Sequence, residues 1–285
     1  MKSGALRAAG ALCLWMACAM AQAADMSPDE RRAAVSALPW VKGPSGVGVG
    51  GKAQLKLAEG QGFLAEKDSG RFLELTGNLP SPGESILVAR GWWAVFDFAD
   101  VGYIKDDEKL DADELLKQLK GNDAPANEER RKRGFPEMHT DGWAVPPHYD
   151  SETKHLEWGL KLRSADSPEP VINYTVRLLG RTGYENVVLV TGADTLDSDI
   201  KELKATLKSF DFDSGEKYAE FKQGDRVAQF GLAALVVGGA AAALVKTGFW
   251  KTILVALAAS WKLIAGVVVA ALAGIGKLFG RNKTS

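Results

Sequence analysis

Apolar and polar residues alternate through much of the middle of the chain. Ala53, Leu55 and Leu57 alternate with Lys52, Gln54 and Lys56, the period-two pattern of a half-buried strand. Residues 84–99, ESILVARGWWAVFDFA, form a longer strand-like run, with Trp92, Ala94, Phe96 and Phe98 on one face. In residues 155–162, Leu156, Trp158, Leu160 and Leu162 face one way, and His155, Glu157, Gly159 and Lys161 the other. In residues 171–179, Ile172, Tyr174, Val176 and Leu178 oppose Asn173, Thr175 and Arg177. Arg181-Thr182-Gly183 reads as a turn into a strand over 186–191, which completes an antiparallel meander. Residues 142–150 predict a short strand ending at a corner, since Pro146 and Pro147 fix φ and cannot donate to a ladder. Leu156 and Trp158 are then inward, and His155 and Glu157 outward.

The period changes to 3.6 in two places. Asp111 stands at an N-cap with Glu114 at N3, and Leu110 and Leu115 take the staple positions. Leu115, Leu116 and Leu119 form the apolar stripe, and Gly121 fits the stop. Ile200, Leu203, Leu207 and Phe210 recur at helical spacing. Residues 122–134 read as a charged loop or frayed helix, residues 25–46 as an irregular lead-in with Pro28, Pro39 and Pro44, and residues 213–226 as a polar tether. Strands in runs with few helices imply an α+β domain over 47–212, mainly antiparallel sheet, rather than alternating βαβ units.

Both ends depart from this pattern. Lys2 and Arg7 precede an apolar run from Ala8 to Met20, and Ala21-Gln22-Ala23 is a small-x-small cleavage site, so residues 1–24 read as a secretory signal peptide. Residues 227–245 hold nineteen residues without a charge, close to the about 20 that cross a bilayer core. Residues 252–276 form a second long apolar stretch with one interior charge, Lys262, and read as a second transmembrane or an interfacial helix. A basic tail, 277–285, carries Lys277, Arg281 and Lys283. The expected arrangement is an exported domain on the periplasmic face of a bacterial inner membrane, held by its C-terminus. Lys246 and Lys251 then fall in a cytoplasmic loop, whereas a second span would leave the basic tail outside, against the positive-inside tendency.

Composition adds exclusions. The net charge of −1 gives no bulk attraction to nucleic acid. Cys13 and Cys18 both lie in the signal segment, so the cleaved chain holds no disulfide, thiolate metal site or Cys nucleophile. The stretch 97–114 carries eight carboxylates against Lys105 and Lys109, but its spacing fits no EF-hand. Gly46, Gly48, Gly50 and Gly51 lack the ending of a phosphate loop and precede a strand, so they read as a mobile or tight turn. His139, His148 and His155 with Asp150 have the ligand types of a catalytic zinc site, without a zincin helix motif. Ser151 follows Asp150, but the chain has no G-x-S-x-G turn. Asp150 and Glu157 are also the residue types of a glycosidase pair. No motif demands a cofactor or fixes a metal.

Several segments in order carry a family resemblance: residues 91–122, GWWAVFDFADVGYIKDDEKLDADELLKQLKGN; 142–150, GWAVPPHYD; 155–162, HLEWGLKL; and 171–184, VINYTVRLLGRTGY. Together they resemble the DUF2167 family of uncharacterised, membrane-anchored bacterial proteins, over roughly residues 30–280. The resemblance implies no activity. The helix near 199–209 followed by Ser209-Phe210-Asp211-Phe212 is similar to the ending of PsbP/DcrB-type exported domains, which implies a curved-sheet sandwich. The functional expectation is a non-enzymatic interaction or accessory module whose partners are the lipid bilayer and envelope proteins. Asn173, Arg177, His155 and Glu157 are its candidate ligand-facing residues. The alternative is a metal-dependent or carboxylate-based envelope hydrolase using His139, His148, Asp150 and His155.

Overall fold

The computed structural model describes residues 27–76, 81–132, 137–165 and 170–238. The signal segment, the last seven residues of the first hydrophobic run (239–245), the second run and the basic tail lie outside these residues. The elements are α1 (Pro28–Ser36), β1 (Val41–Lys42), β2 (Ser45–Val49), β3 (Ala53–Leu57), β4 (Gly62–Leu64), α2 (Glu66–Leu75), β5 (Ser85–Val88) and β6 (Trp93–Ala99). There follow α3 (Ala112–Gly121), α4 (Asp123–Lys132), β7 (Met138–Asp150), β8 (His155–Ser164), β9 (Val171–Leu179), β10 (Tyr184–Thr191), α5 (Leu196–Leu207), β11 (Asp211–Phe212), a short 3₁₀ turn (Tyr218–Glu220) and α6 (Leu232–Val237).

The fold is α+β, built on antiparallel sheet. Eight strands pair in the order β1-β4-β5-β6-β10-β9-β8-β7, and a smaller sheet has the order β11-β3-β2. The expected antiparallel meander forms, with Glu157 opposite Val176 and Asn186 opposite Arg177. Both faces of the large sheet are covered. On one face Tyr174, Val176, Leu178, Val187, Leu189 and Phe96 pack against Leu55 and Leu57 of the small sheet and Leu203 and Leu207 of α5. On the other, Leu156, Trp158 and Tyr184 meet Leu115 of α3 and Leu232, Leu235 and Val236 of α6. Further along that second face, Ile86 meets Phe72 and Leu73 of α2.

Local chemistry explains most boundaries. Asp111 Oδ1 accepts from the N–H groups of Asp113 and Glu114 at 3.1 and 3.0 Å, so α3 starts where the capping pattern predicts. The Glu114 side chain meets Gln118 instead of completing the reciprocal bond. The strand-like run 84–99 is a hairpin rather than one strand. Ala89 N–H donates to Trp92 C=O at 3.0 Å, and Gly91 takes φ +93° at the turn. The charged stretch after α3 is helical, and Asp123 at its start accepts from Thr140 N–H and Oγ1, both at 2.8 Å.

Four further readings change. The lead-in is not irregular: Ser27 and Glu30 form a capping box that starts α1, and β1 and β2 follow directly. Gly46 and Gly48 lie within β2, and Gly50 and Gly51, both with positive φ, make the tight turn to β3. Residues 142–150 are not a short strand with a proline corner. β7 runs straight through Pro146 and Pro147 as an edge strand, with a register shift between Val145 and His148. An edge strand at a bulge tolerates two missing N–H donors, and the chain turns later, at 151–154. The supposed tether is bound to the domain. Arg181 clasps Asp225 through two bonds of 2.7 Å, Lys52 reaches Glu216, and Tyr103 N–H donates to Arg226 C=O at 2.8 Å. Its apolar continuation enters the second core as α6, where Leu232 and Leu235 are fully buried and Glu108 accepts from Ala233 N–H. No helix among the described residues is long and apolar enough to cross a membrane.

Candidate functional site

The β7–β8 hairpin builds the site. Side chains of paired residues in an antiparallel ladder share a face. His148 pairs with Glu157 and Asp150 with His155, so these four side chains lie on the face toward α5. Directly opposed residues stand about 5 Å apart at Cβ and diagonal ones about 7–8 Å, which makes Asp150 and His155 opposed neighbours and His148 and His155 diagonal ones. They line a cleft of about 540 Å³ with Thr153, Val176, Lys204, Leu207, Lys208 and Phe210. A second depression of about 220 Å³ adjoins it across Thr153, His155 and Phe210, and continues over Leu178, Leu179 and Phe212.

The loop closing the hairpin is held in place. Asp150 Oδ1 accepts from Glu152 and Thr153 N–H at 2.8 and 3.3 Å, and these bonds hold its carboxyl below the usual carboxylate range. Lys154 takes φ +61°, an αL conformation uncommon for a non-glycine residue. Its Nζ meets Asp106 Oδ2 at 2.8 Å, and Tyr149 Oη donates to the same oxygen at 2.8 Å. That bond ties the back of the hairpin to the acidic stretch before α3.

Glu157 is the most constrained group of the cleft. Lys204 Nζ lies 2.6 Å from Oε1, and the buried Tyr174 hydroxyl donates to Oε2 at 2.6 Å. Burial and this hydrogen bond raise the tyrosine pKa. Burial lowers the pKa of His155, while Glu157 and Asp150 act against that shift, so the neutral imidazole is favoured. The side chains of His148 and Lys208 are both exposed, and each is without a hydrogen-bond or ion-pair partner among the described residues.

The candidate residues divide. His148, Asp150 and His155 meet. His139 does not: it pairs with Arg163, eight residues along β8 from His155, or roughly 26 Å at the rise of a strand. Its ring approaches Glu137 at 3.4 Å. No group of three His, Cys, Asp or Glu residues able to hold a metal occurs among the described residues. The expected ligand-facing set also splits. Glu157 and His155 face α5, but Asn173, Thr175 and Arg177 share the opposite face with Leu160, Trp158 and Leu156. The reason is double coverage: β8 and β9 are both amphipathic, but the polar positions of one share a face with the apolar positions of the other. Arg177 is no surface ligand. Its guanidinium packs 4.7 Å from the Tyr184 ring centroid and 5.5 Å from that of Trp158, and Nε is buried without a hydrogen-bond partner. Burial lowers its pKa.

Sequence reasoning missed Lys204, Lys208 and Phe210 as site residues. Helical spacing placed α5, but only the tertiary fold shows that its charged edge overhangs β8. It also missed Glu185, which is 1% exposed with both carboxyl oxygens unpartnered. Burial, assisted by Asp97, pushes its pKa up to about 8.

A family model described as a protein of unknown function (DUF2167) matches residues 41–273. The chain belongs to the DUF2167 family. The matched range of DUF2167 contains the whole cleft, the meander and α6. No curated protein matches the chain. Similar solved structures include the cyanobacterial PsbP (CyanoP) from Synechocystis sp. PCC 6803, with 12% identity over 59% of this chain and 91% of that one at a TM-score of 0.36. Another is the Saccharomyces cerevisiae Ran-binding protein Mog1p, with 9% identity over 64% of this chain and 100% of that one at a TM-score of 0.33.

Proposed function

We propose that this DUF2167 protein is a membrane-anchored envelope module that binds a ligand in the β7–β8–α5 cleft without turning it over. The signal segment and the apolar C-terminal runs support display on the periplasmic face of an inner membrane, with the bilayer and envelope proteins as partners. One observation carries the non-catalytic reading: Glu157 has both carboxyl oxygens engaged, and Asp150 has one. Glu157 is held by Lys204 and Tyr174, and Asp150 caps its own loop. A general acid or base needs a lone pair or proton free to reach substrate.

Native mass spectrometry of the protein extracted from membranes tests this reading. A copurifying ligand lost in His155→Ala supports it. Turnover of an envelope ester, glycoside or phosphate that disappears in both His155→Ala and Asp150→Asn overturns it. That result would favour a hydrolase, the second reading, which draws on His148, Asp150 and His155 sharing one cleft.

A further inference from the structure

The cleft has two chemically different parts. One carries groups with hydrogen-bonding capacity to spare. Lys208 follows the last residue of α5, and His148 stands on β7, diagonal to His155. Among the described residues no carboxylate engages Lys208 or His148. Of the two acidic side chains that could neutralise an incoming cation, Glu157 is engaged on both oxygens by Lys204 and Tyr174, and Asp150 accepts two backbone N–H groups on Oδ1. The other part is apolar: Val176, Leu207 and Phe210 line the cleft, and Leu178, Leu179 and Phe212 extend that surface into the adjoining depression. The far rim is closed to a second anion, because Lys217 is paired with Asp211 at 2.6 Å.

We propose that the cleft seats an anion with an apolar body: a carboxylate or phosphate group held by His148, His155 and Lys208, and an acyl or aryl portion lying on Val176, Leu207 and Phe210. The proposal rests on the reading of the domain as a binding module. The volume suits a ligand of that kind, since small-molecule sites span about 300–1,000 Å³ with apolar walls and a few placed polar groups. An ionised ligand replaces water on donors that have no internal partner, so no buried hydrogen bond is broken when it enters.

Titration of the full-length protein in phosphatidylcholine nanodiscs with 4-fluorophenyl phosphate and 4-fluorobenzoate, read by ¹⁹F NMR, tests this. Inorganic phosphate and 4-fluorobenzylamine serve as comparisons. Saturable binding of at least one aryl anion is expected, tighter than inorganic phosphate, and which of the two binds distinguishes a phosphate from a carboxylate ligand. Lys208→Gln and His148→Gln should each weaken it about tenfold, the loss of a charge-assisted bond. Both side chains are exposed, so unchanged melting shows that the fold survives. Phe210→Ala should weaken the aryl anion and leave inorganic phosphate unaffected. Tighter binding of the amine, no saturable binding of either anion, or indifference to Lys208→Gln overturns the proposal. Release of fluorophenol that requires Asp150 and His155 instead overturns the non-catalytic reading and leaves the anion assignment intact.

Discussion

Glu185 shows what a single buried side chain does to the energetics. It shares the face of Phe98 and Leu178, and its Oε2 would lie 2.8 Å from a Cβ built on Gly50, so the β2–β3 turn closes directly over it. With no partner for either oxygen, the neutral acid is the stable form, and its pKa stands near 8 against 4.5 for the free group. The folded state therefore holds a proton that the unfolded chain releases. The stabilisation is fully present below about pH 4.5 and is lost as pH rises through about 8. Denaturant titrations between pH 5 and 9 should show wild-type stability falling by a few kcal/mol from this group. Glu185→Gln, neutral throughout, should flatten that slope, and an unchanged slope would mean the carboxyl finds a partner. Arg177 is the complementary case. Its charge is retained under burial by two aromatic faces, and Arg177→Met should cost less than Tyr184→Ala in the same titrations, because an apolar side chain of similar length needs no such partners.

At the level of elements, α6 carries the sharpest prediction. In sequence its residues fall in the middle of a nineteen-residue run without a charge, 227–245, indistinguishable from part of a membrane span. In the fold Leu235 is 0% exposed against α3 and the Tyr103–Tyr218 stack. Leu235→Ala should lower the stability of the domain by about 2–5 kcal/mol, read from protease resistance of the intact protein, whereas a lipid-facing leucine would leave it unchanged. The same comparison tells which elements were legible. β8, β9 and α3 are readable because period and cap chemistry are local. The β5–β6 hairpin hides in an apolar run because both arms are buried and the only punctuation is Arg90-Gly91. The segment of β7 reads as breaking at Pro146, since edge position and a bulge are properties of the sheet rather than the segment. The cleft was half legible for a related reason. The hairpin brings His148, Asp150 and His155 together through one turn, but α5 crosses from some fifty residues away.

The whole molecule differs most from the sequence reading in how the domain ends. A leash of polar residues would leave a globular unit free to tumble above its anchor. Residues 213–237 are instead tied to the domain by Arg181–Asp225, the Tyr103–Arg226 and Tyr103–Ala228 backbone bonds and the Tyr218–Ile104 bond, before α6 packs. Inserting ten Gly-Ser residues after Gly215 should therefore lower the domain's thermal midpoint by several degrees. An insertion into a true leash would be neutral. Protease accessibility of a C-terminal tag in spheroplasts tests the expected membrane crossing, and cleavage from outside would rule out a single crossing.

That bound ending also governs how the cleft responds to pulling. Phe210 and Phe212 wall the cleft and its neighbouring depression, and they stand immediately upstream of the tied segment. Tension entering at Val237 must first extract α6, then unzip the bonds around Tyr103, then part Arg181 from Asp225, before it reaches β11. Tension from a tugging partner is thus absorbed in series by contacts C-terminal to the cleft, the last of them around Tyr218 at the edge of the adjoining depression. Under load the domain should come apart from its C-terminal end inward, with the cleft the last part of this path to feel the strain.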